Sequence, residues 1–248
     1  MCVNWPVFNF FKKESIDKVE KIQKIEKADV LNKEDKKIKN NKDTYINSSE
    51  KKEKFFVLCG ASCCGKDTLL NYLKDKYDLN TLVSYTTRPQ RVNEVDGKDY
   101  YFVKKNKFIS MIEDNEFIEY KKYVATRVND KKDIWFYGTS KKEFDTVRRK
   151  IGILDVSGIK KIQDYYGKDN VVIIFVECNK ELRESRAKNR KDYDVERWAN
   201  RCAFDDLEFS KKFVKEEVNF VIHNNNDKDF MKLQADKIMK AYNIKPIK

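Results

Sequence analysis

Histidine is almost missing from this chain: the 248 residues contain one, His223. That excludes histidine-rich metal sites and argues against a Ser-His-Asp hydrolase. The six cysteines lack paired C-x-x-C spacing, since Cys59, Cys63 and Cys64 fall too irregularly for a zinc cage. A signal-peptide pattern and a membrane-length apolar run are also missing, so a chain this rich in lysine is expected in a reducing cytoplasm. Cys2 stands in no lipid-attachment context. Internal repeats are absent, and so is any aromatic-basic stretch of the K-G-F-G-F kind, which leaves nucleic acid without a recognition signature. The net charge of +12 instead suits small anionic substrates, with +4 falling on residues 1–54 and the rest beyond them.

Residues 13–53 contain neither glycine nor proline and few aromatics, and are dominated by Lys, Asn, Asp, Glu, Ser and Ile. Such a segment lacks the apolar surface to offset its ordering entropy. Residues 1–53 are therefore expected to be a tail or linker, with a marginal amphipathic helix over Ile16 to Leu31. The extreme end, Trp5 to Lys13, is aromatic and then basic, a composition that can dock on a partner or membrane surface but is more often a locally packed end. Residues 54–248 have the length of one domain, which buries roughly 70% of its unfolded surface without disulfide support.

What is present begins at Phe55-Phe56-Val57-Leu58-Cys59, an apolar run followed by Gly60-Ala61-Ser62-Cys63-Cys64-Gly65-Lys66-Asp67-Thr68 and a helix-like run from Leu69 to Tyr77. Strand, glycine-bounded loop and helix place backbone N–H groups and a lysine where a polyphosphate can sit. Lys66 would reach the β- and γ-phosphates, and the helix N-terminus adds its positive end. The hydroxyl residue that usually follows the lysine is replaced by Asp67, a harder oxygen ligand able to hold Mg²⁺ directly. Loop N–H groups that attract phosphate also favour thiolate, so oxidation or alkylation at Cys63 or Cys64 is expected to block ATP.

A second anion site follows. Arg88 and Arg91 stand three residues apart beside Thr86 and Thr87, and the stretch Glu94 to Phe102 supplies Tyr100. Two guanidinium forks and a phenol hydroxyl can grip one dianionic phosphate, as on a nucleoside monophosphate.

Here the chain resembles the guanylate kinase family, from about Lys54 to its C-terminus. The family pattern S-x-T-T-R-x-x-R-x-x-E-x-x-G-x-D-Y-x-F is complete between Ser84 and Phe102. The resemblance implies that Arg88, Arg91, Tyr100 and Tyr137 grip the phosphate of GMP, Tyr137 lying in the Y-G-T element Tyr137-Gly138-Thr139. It further implies that Ser84, Glu119 and Thr139 face the base. The chemistry agrees, because a carboxylate such as Glu119 accepts both adjacent donors of guanine, which adenine would leave unpaired. In spacing, Arg186, Arg190 and Arg201 match the family's lid arginines, which would neutralise the migrating phosphoryl group. Asn224, after the last apolar run, matches the family's asparagine near the adenine of ATP.

Asp155 ends the apolar run from Ile151, as a carboxylate at the C-terminal edge of a parallel strand, and is expected to orient Mg²⁺ through water. The family continues there as D-x-D-x-x-G, whereas this chain reads Asp155-Val156-Ser157-Gly158 and lacks one acid. Between Glu119 and Tyr137 it also carries an insertion, with Tyr123 to Val128 and Asp133 to Phe136 expected as strands around Asn129 to Lys132. Helices are expected over Leu182 to Arg190 and Val195 to Lys212. Together these readings imply a P-loop α/β fold with a central parallel sheet, a small mixed-β subdomain over 84–139 and a helical lid over 183–201. The reaction implied is ATP plus GMP, or dGMP, giving ADP and GDP. A same-fold kinase with another monophosphate or sugar-phosphate acceptor, and a non-catalytic binding module, are the alternatives.

Overall fold

The computed structural model describes residues 53–92, 94–126, 132–145, 148–190, 193–225 and 228–247. The expected N-terminal tail, its helix over 16–31 and the loop at 129–131 lie outside the described residues. In chain order come β1 (Phe55–Cys59), α1 (Lys66–Lys76), β2 (Asn80–Thr81), β3 (Tyr85–Thr86), β4 (Tyr101–Phe102), α2 (Lys105–Glu113), β5 (Phe117–Thr126) and β6 (Lys132–Ser140). They are followed by β7 (Lys150–Ile153), α3 (Val156–Tyr166), β8 (Val171–Glu177), α4 (Lys180–Lys188), α5 (Val195–Glu208), α6 (Lys211–Glu217), β9 (Phe220–His223) and α7 (Lys228–Ala241).

Every residue of β1 is apolar and buried, as a strand covered on both faces must be. It lies at the centre of a parallel sheet ordered β2-β7-β1-β8-β9. Alternation divides its side chains. Phe56 and Leu58 join Leu69 and Leu73 of α1 and Met231, Ala235 and Met239 of α7 on one face. Phe55, Val57 and Cys59 join Ile159 and Ile162 of α3 and Phe213 of α6 on the other. Each fully buried large side chain here contributes on the order of 2 kcal/mol of burial, so truncating Phe56 would cost several. The result is a rigid three-layer platform whose strand ends carry the loop at Gly60.

A second sheet, ordered β4-β3-β6-β5, is built around the long β5–β6 hairpin. The strands expected on either side of the insertion are, as far as Thr126 and from Asp133, parts of these two longer strands, paired from Glu119 opposite Thr139 out to Thr126 opposite Lys132, while residues 127 and 128 lie outside the described residues. Helix α2 covers one face through Phe108 and Met111, with Phe108 stacked on Phe117 at 4.5 Å. Gly138 is required beneath that stack, since a Cβ there would meet both rings at 3.0 Å.

One helical expectation is corrected. The segment expected to run unbroken from Val195 to Lys212 is two helices, because Ser210 caps α6 by accepting a hydrogen bond from Phe213 N–H. Among the described residues no helix is long and apolar enough to cross a membrane.

Candidate functional site: a glycine-bounded loop and an arginine–tyrosine cluster

The loop between β1 and α1 has the left-handed turns such a cradle needs, at Gly65 (φ 103°) and at the non-glycine Cys63 (φ 61°). A Cβ on Gly65 would stand 2.3 Å from Asn224 Nδ2, so only glycine fits. Lys66 Nζ donates back to the carbonyls of Gly60 and Ala61 at 2.8 and 2.9 Å. Its charge is thus held over the loop centre, where a phosphate would draw it away. Asn224 is buried and its Nδ2 donates to Cys64 O at 2.7 Å, bracing the loop from behind. Arg186 Nη1 donates to Cys63 O at 3.3 Å, and Nη2 reaches Asn224 O at 3.4 Å. Asp67 and Thr68 form the first turn of α1.

The two loop cysteines separate, contrary to their common expectation. Cys64 is fully buried and burial pushes its thiol up, so it behaves as a packing residue. Cys63 is only partly buried, against Ala187, Trp198 and Cys202.

The acceptor side is assembled by β3, β4 and the β5–β6 hairpin. Arg88 is buried and forks onto Glu94, Nη2 to Oε1 at 2.7 Å and Nη1 to Oε2 at 3.0 Å, while its guanidinium lies 5.4 Å from the ring of Tyr100. Tyr100 packs edge-on to Tyr137 at 5.8 Å. Arg91 is exposed, with its N–H donating to Glu94 Oε2 at 2.8 Å. Glu119 is buried, and Thr139 Oγ1 donates to its Oε1 at 2.6 Å. Burial raises the Glu119 carboxyl above the ordinary carboxylate range, against the lowering effect of that bond. Ser84 precedes β3, with its carbonyl accepting from Tyr101 N–H at 3.0 Å.

Burial first, then Tyr137, raise the Tyr100 phenol, with the Asp67 carboxylate of α1 a smaller contributor and Arg88 opposing them. Asp155 stands on the acceptor side. It caps α3 by accepting from Gly158 N–H at 2.8 Å and pairs with Lys121 of β5. Glu208, at the end of α5, accepts from Val156 N–H at 3.1 Å, and burial followed by the Asp155 charge pushes its carboxyl up to about 7. Of the expected lid arginines, Arg186 reaches the loop, whereas Arg190, just past the end of α4, and Arg201, on α5, are exposed. Among the described residues there is no group of three or more His, Cys, Asp or Glu able to hold a metal unaided.

Sequence reasoning overlooked several residues of this site. Lys121 and Tyr123 alternate with Glu119 along β5, a period-2 pattern that puts all three on one face. Arg183 and Asp205 form a buried pair at 3.1 Å beside Ser62. Their signal was one charged residue in each apolar stripe, Arg183 with Ala187 on α4 and Asp205 with Trp198 and Cys202 on α5.

Comparison with known proteins agrees with this geometry. The family described as Guanylate kinase matches residues 52–241. A guanylate kinase of Bacteroides fragilis is 31% identical over 199 residues, covering 76% of this chain and 89% of that protein. One from Protochlamydia amoebophila is 30% identical over 182 residues, covering 70% and 86%. Among solved structures, guanylate kinase from Anaplasma phagocytophilum shares the fold with a TM-score of 0.52 and 21% identity, over 77% of this chain and 86% of that one.

Proposed function

Because the chain belongs to the guanylate kinase family, we propose that it transfers the γ-phosphoryl group of ATP to GMP, and to dGMP, giving ADP and GDP. The observation that carries this reading is the presence of both halves in one chain, a glycine-bounded loop at the end of β1 with Lys66 held on its carbonyls and a cluster of Arg88, Tyr100 and Tyr137 on the second sheet. An acceptor phosphate held by Arg88, Arg91, Tyr100 and Tyr137 would point its oxygen at a donor phosphate held by the loop Gly60 to Thr68. That oxygen is already nucleophilic, so no general base is needed and the work is positioning and charge stabilisation.

Lys66 would leave the carbonyls of Gly60 and Ala61 for the β- and γ-phosphates. Arg186 stands closest of the lid arginines, and Arg190 and Arg201 would approach on closure, which also excludes water. Glu119 would exchange the Thr139 hydroxyl for the N1–H and amino group of guanine, freeing Thr139, with Ser84, for the base carbonyl. Asn224 supports the donor pocket and would border the adenine. Mg²⁺ bound with a nucleotide needs only one or two protein oxygens beside the phosphates, and Asp67 offers one at the start of α1. Asp155, engaged by Lys121, would act on it only through water. Such an ion would supply charge neutralisation at the donor phosphates.

The domain reading follows the same division, with 84–139 holding the acceptor and 183–201 forming the lid. A coupled ADP-release assay with GMP, dGMP, AMP, CMP and UMP in parallel tests the proposal. Turnover is expected with GMP and dGMP. Faster turnover with another acceptor, or none with any, overturns it.

A further inference from the structure

The donor loop is gripped from outside at three consecutive carbonyls. Arg183 Nη1 reaches Ser62 O at 3.4 Å, Arg186 Nη1 reaches Cys63 O at 3.3 Å, and Asn224 Nδ2 reaches Cys64 O at 2.7 Å. Side chains that hold these carbonyls fix the shape of the loop whose backbone and lysine would meet an anion. Arg186 and Asn224 already belong to the donor site. Arg183 and Asp205 do not, yet they hold Ser62 most completely. Asp205 Oδ2 accepts from Ser62 N–H at 2.8 Å and Oδ1 from its hydroxyl at 3.3 Å, while Arg183 Nη1 donates to Asp205 Oδ2 at 3.1 Å.

We propose that the Arg183–Asp205 pair positions the donor loop, tying the roots of α4 and α5 to Ser62 so that the next residue, Cys63, is held in its left-handed turn. This rests on reading the loop as a triphosphate site. Three observations favour a positioning role over plain packing. Cys63 carries a Cβ at φ 61°, a conformation that persists only where the surroundings fix it. Arg183 and Asp205 are 5% and 7% exposed among Ala187, Trp198 and Cys202, where two apolar residues would bury with less desolvation. Finally, Arg183 Nε is buried without a hydrogen-bond partner, so the pair is not arranged for its own satisfaction. What the charges do achieve is three bonds to one loop residue, and through them a link between the donor loop and both lid helices.

Removing Asp205 alone would strand a buried guanidinium, so the test uses two double variants that remove the charge. Arg183→Leu with Asp205→Ala takes away the acceptor for Ser62 N–H. Arg183→Leu with Asp205→Asn keeps one in the amide oxygen. ATP affinity, measured by titration with ATP alone, is expected to fall roughly tenfold or more in the alanine double and about threefold or less in the asparagine double, with KM for GMP unchanged in both. Equal ATP affinity in the alanine double and wild type overturns the proposal while leaving the kinase reading intact. If wild type binds ATP but does not turn over GMP, the acceptor assignment falls and the ATP titrations still judge the pair. A wild type that binds no ATP overturns both. Independently of any variant's folding, the Ser62 amide of the unliganded wild-type protein is expected to exchange hydrogen slowly, and exchange as fast as an open loop overturns the role.

Discussion

The donor loop and the acceptor sheet both arrive with their binding groups already engaged, but by different kinds of partner. On the donor side the engagement is largely with backbone: Lys66 rests on two loop carbonyls, and Asn224 and Arg186 hold two more. The loop springs from a strand that is buried throughout and flanked by two parallel neighbours. On the acceptor side the engagement is side chain to side chain, Arg88 with Glu94, Thr139 with Glu119 and Lys121 with Asp155. It is carried by two strands of two residues and one long hairpin. Backbone shape is fixed before a ligand arrives, whereas paired side chains must exchange partners. On this reading the donor loop would keep its backbone and release only Lys66, whereas the acceptor side chains would exchange partners on binding.

The sharpest division of labour is expected at Lys66. Lys66→Ala should lower kcat by about 10³-fold, the scale of losing one main charge contact to the migrating group. KM for GMP should stay within a few-fold, because nothing on the acceptor side depends on that ammonium. A comparable loss of GMP affinity would show the two pockets to be one coupled unit. The mirror experiment is Glu119→Gln. Its amide cannot accept both guanine donors, so kcat/KM for GMP should fall about 10²-fold while ATP affinity holds, and selectivity over AMP should shrink by a similar factor. Unaltered selectivity would remove Glu119 from the base site.

How legible these pockets were depended on how local their signals are. The Ser84 to Phe102 pattern and the run from Phe55 to Lys66 are contiguous, so their residue types dictated strand and loop, and suggested a phosphate grip, without reference to anything distant. The Arg183–Asp205 pair joins residues in separate helices, and Lys121–Asp155 joins a hairpin to a loop after β7. Only packing makes such pairs, and each residue alone reads as an ordinary surface charge. Asp155 shows the cost: the apolar run before it announced a sheet edge, but its carboxylate is engaged by Lys121, which no spacing revealed. Ser210 shows a milder case, since its hydroxyl could have signalled a helix start inside an otherwise helical stretch.

A smaller effect sharpens the electrostatic side of the comparison. Glu208 has its carboxyl raised from 4.5 to about 7 by burial and by the Asp155 charge. The folded protein thus keeps a proton that the unfolded chain releases between those values, so this group's contribution is fully favourable below about 4.5 and lost as pH rises through 7. Glu208→Gln, which still offers Val156 N–H an acceptor, should remove that loss. The melting temperature of the variant relative to wild type should therefore rise between pH 5 and pH 8, by roughly a few degrees. A gap that is flat with pH would mean that this carboxylate is hydrated in solution.

The finest distinction lies within the donor loop, between neighbouring thiols. Cys64 is sealed beneath Lys66 and its thiol is pushed up by burial, which removes both access and thiolate. Cys63 is partly accessible at the left-handed turn whose neighbouring N–H groups would meet the donor phosphates. Iodoacetamide should therefore modify Cys63 well ahead of Cys64, and ATP with Mg²⁺ should slow the reaction several-fold by covering the turn. GMP alone should leave the rate unchanged, because its proposed site is built on the second sheet and not on the loop. Protection by GMP equal to that by ATP would mean that acceptor binding reshapes the donor loop too, and the contrast between a fixed pocket and a remodelled one would fail.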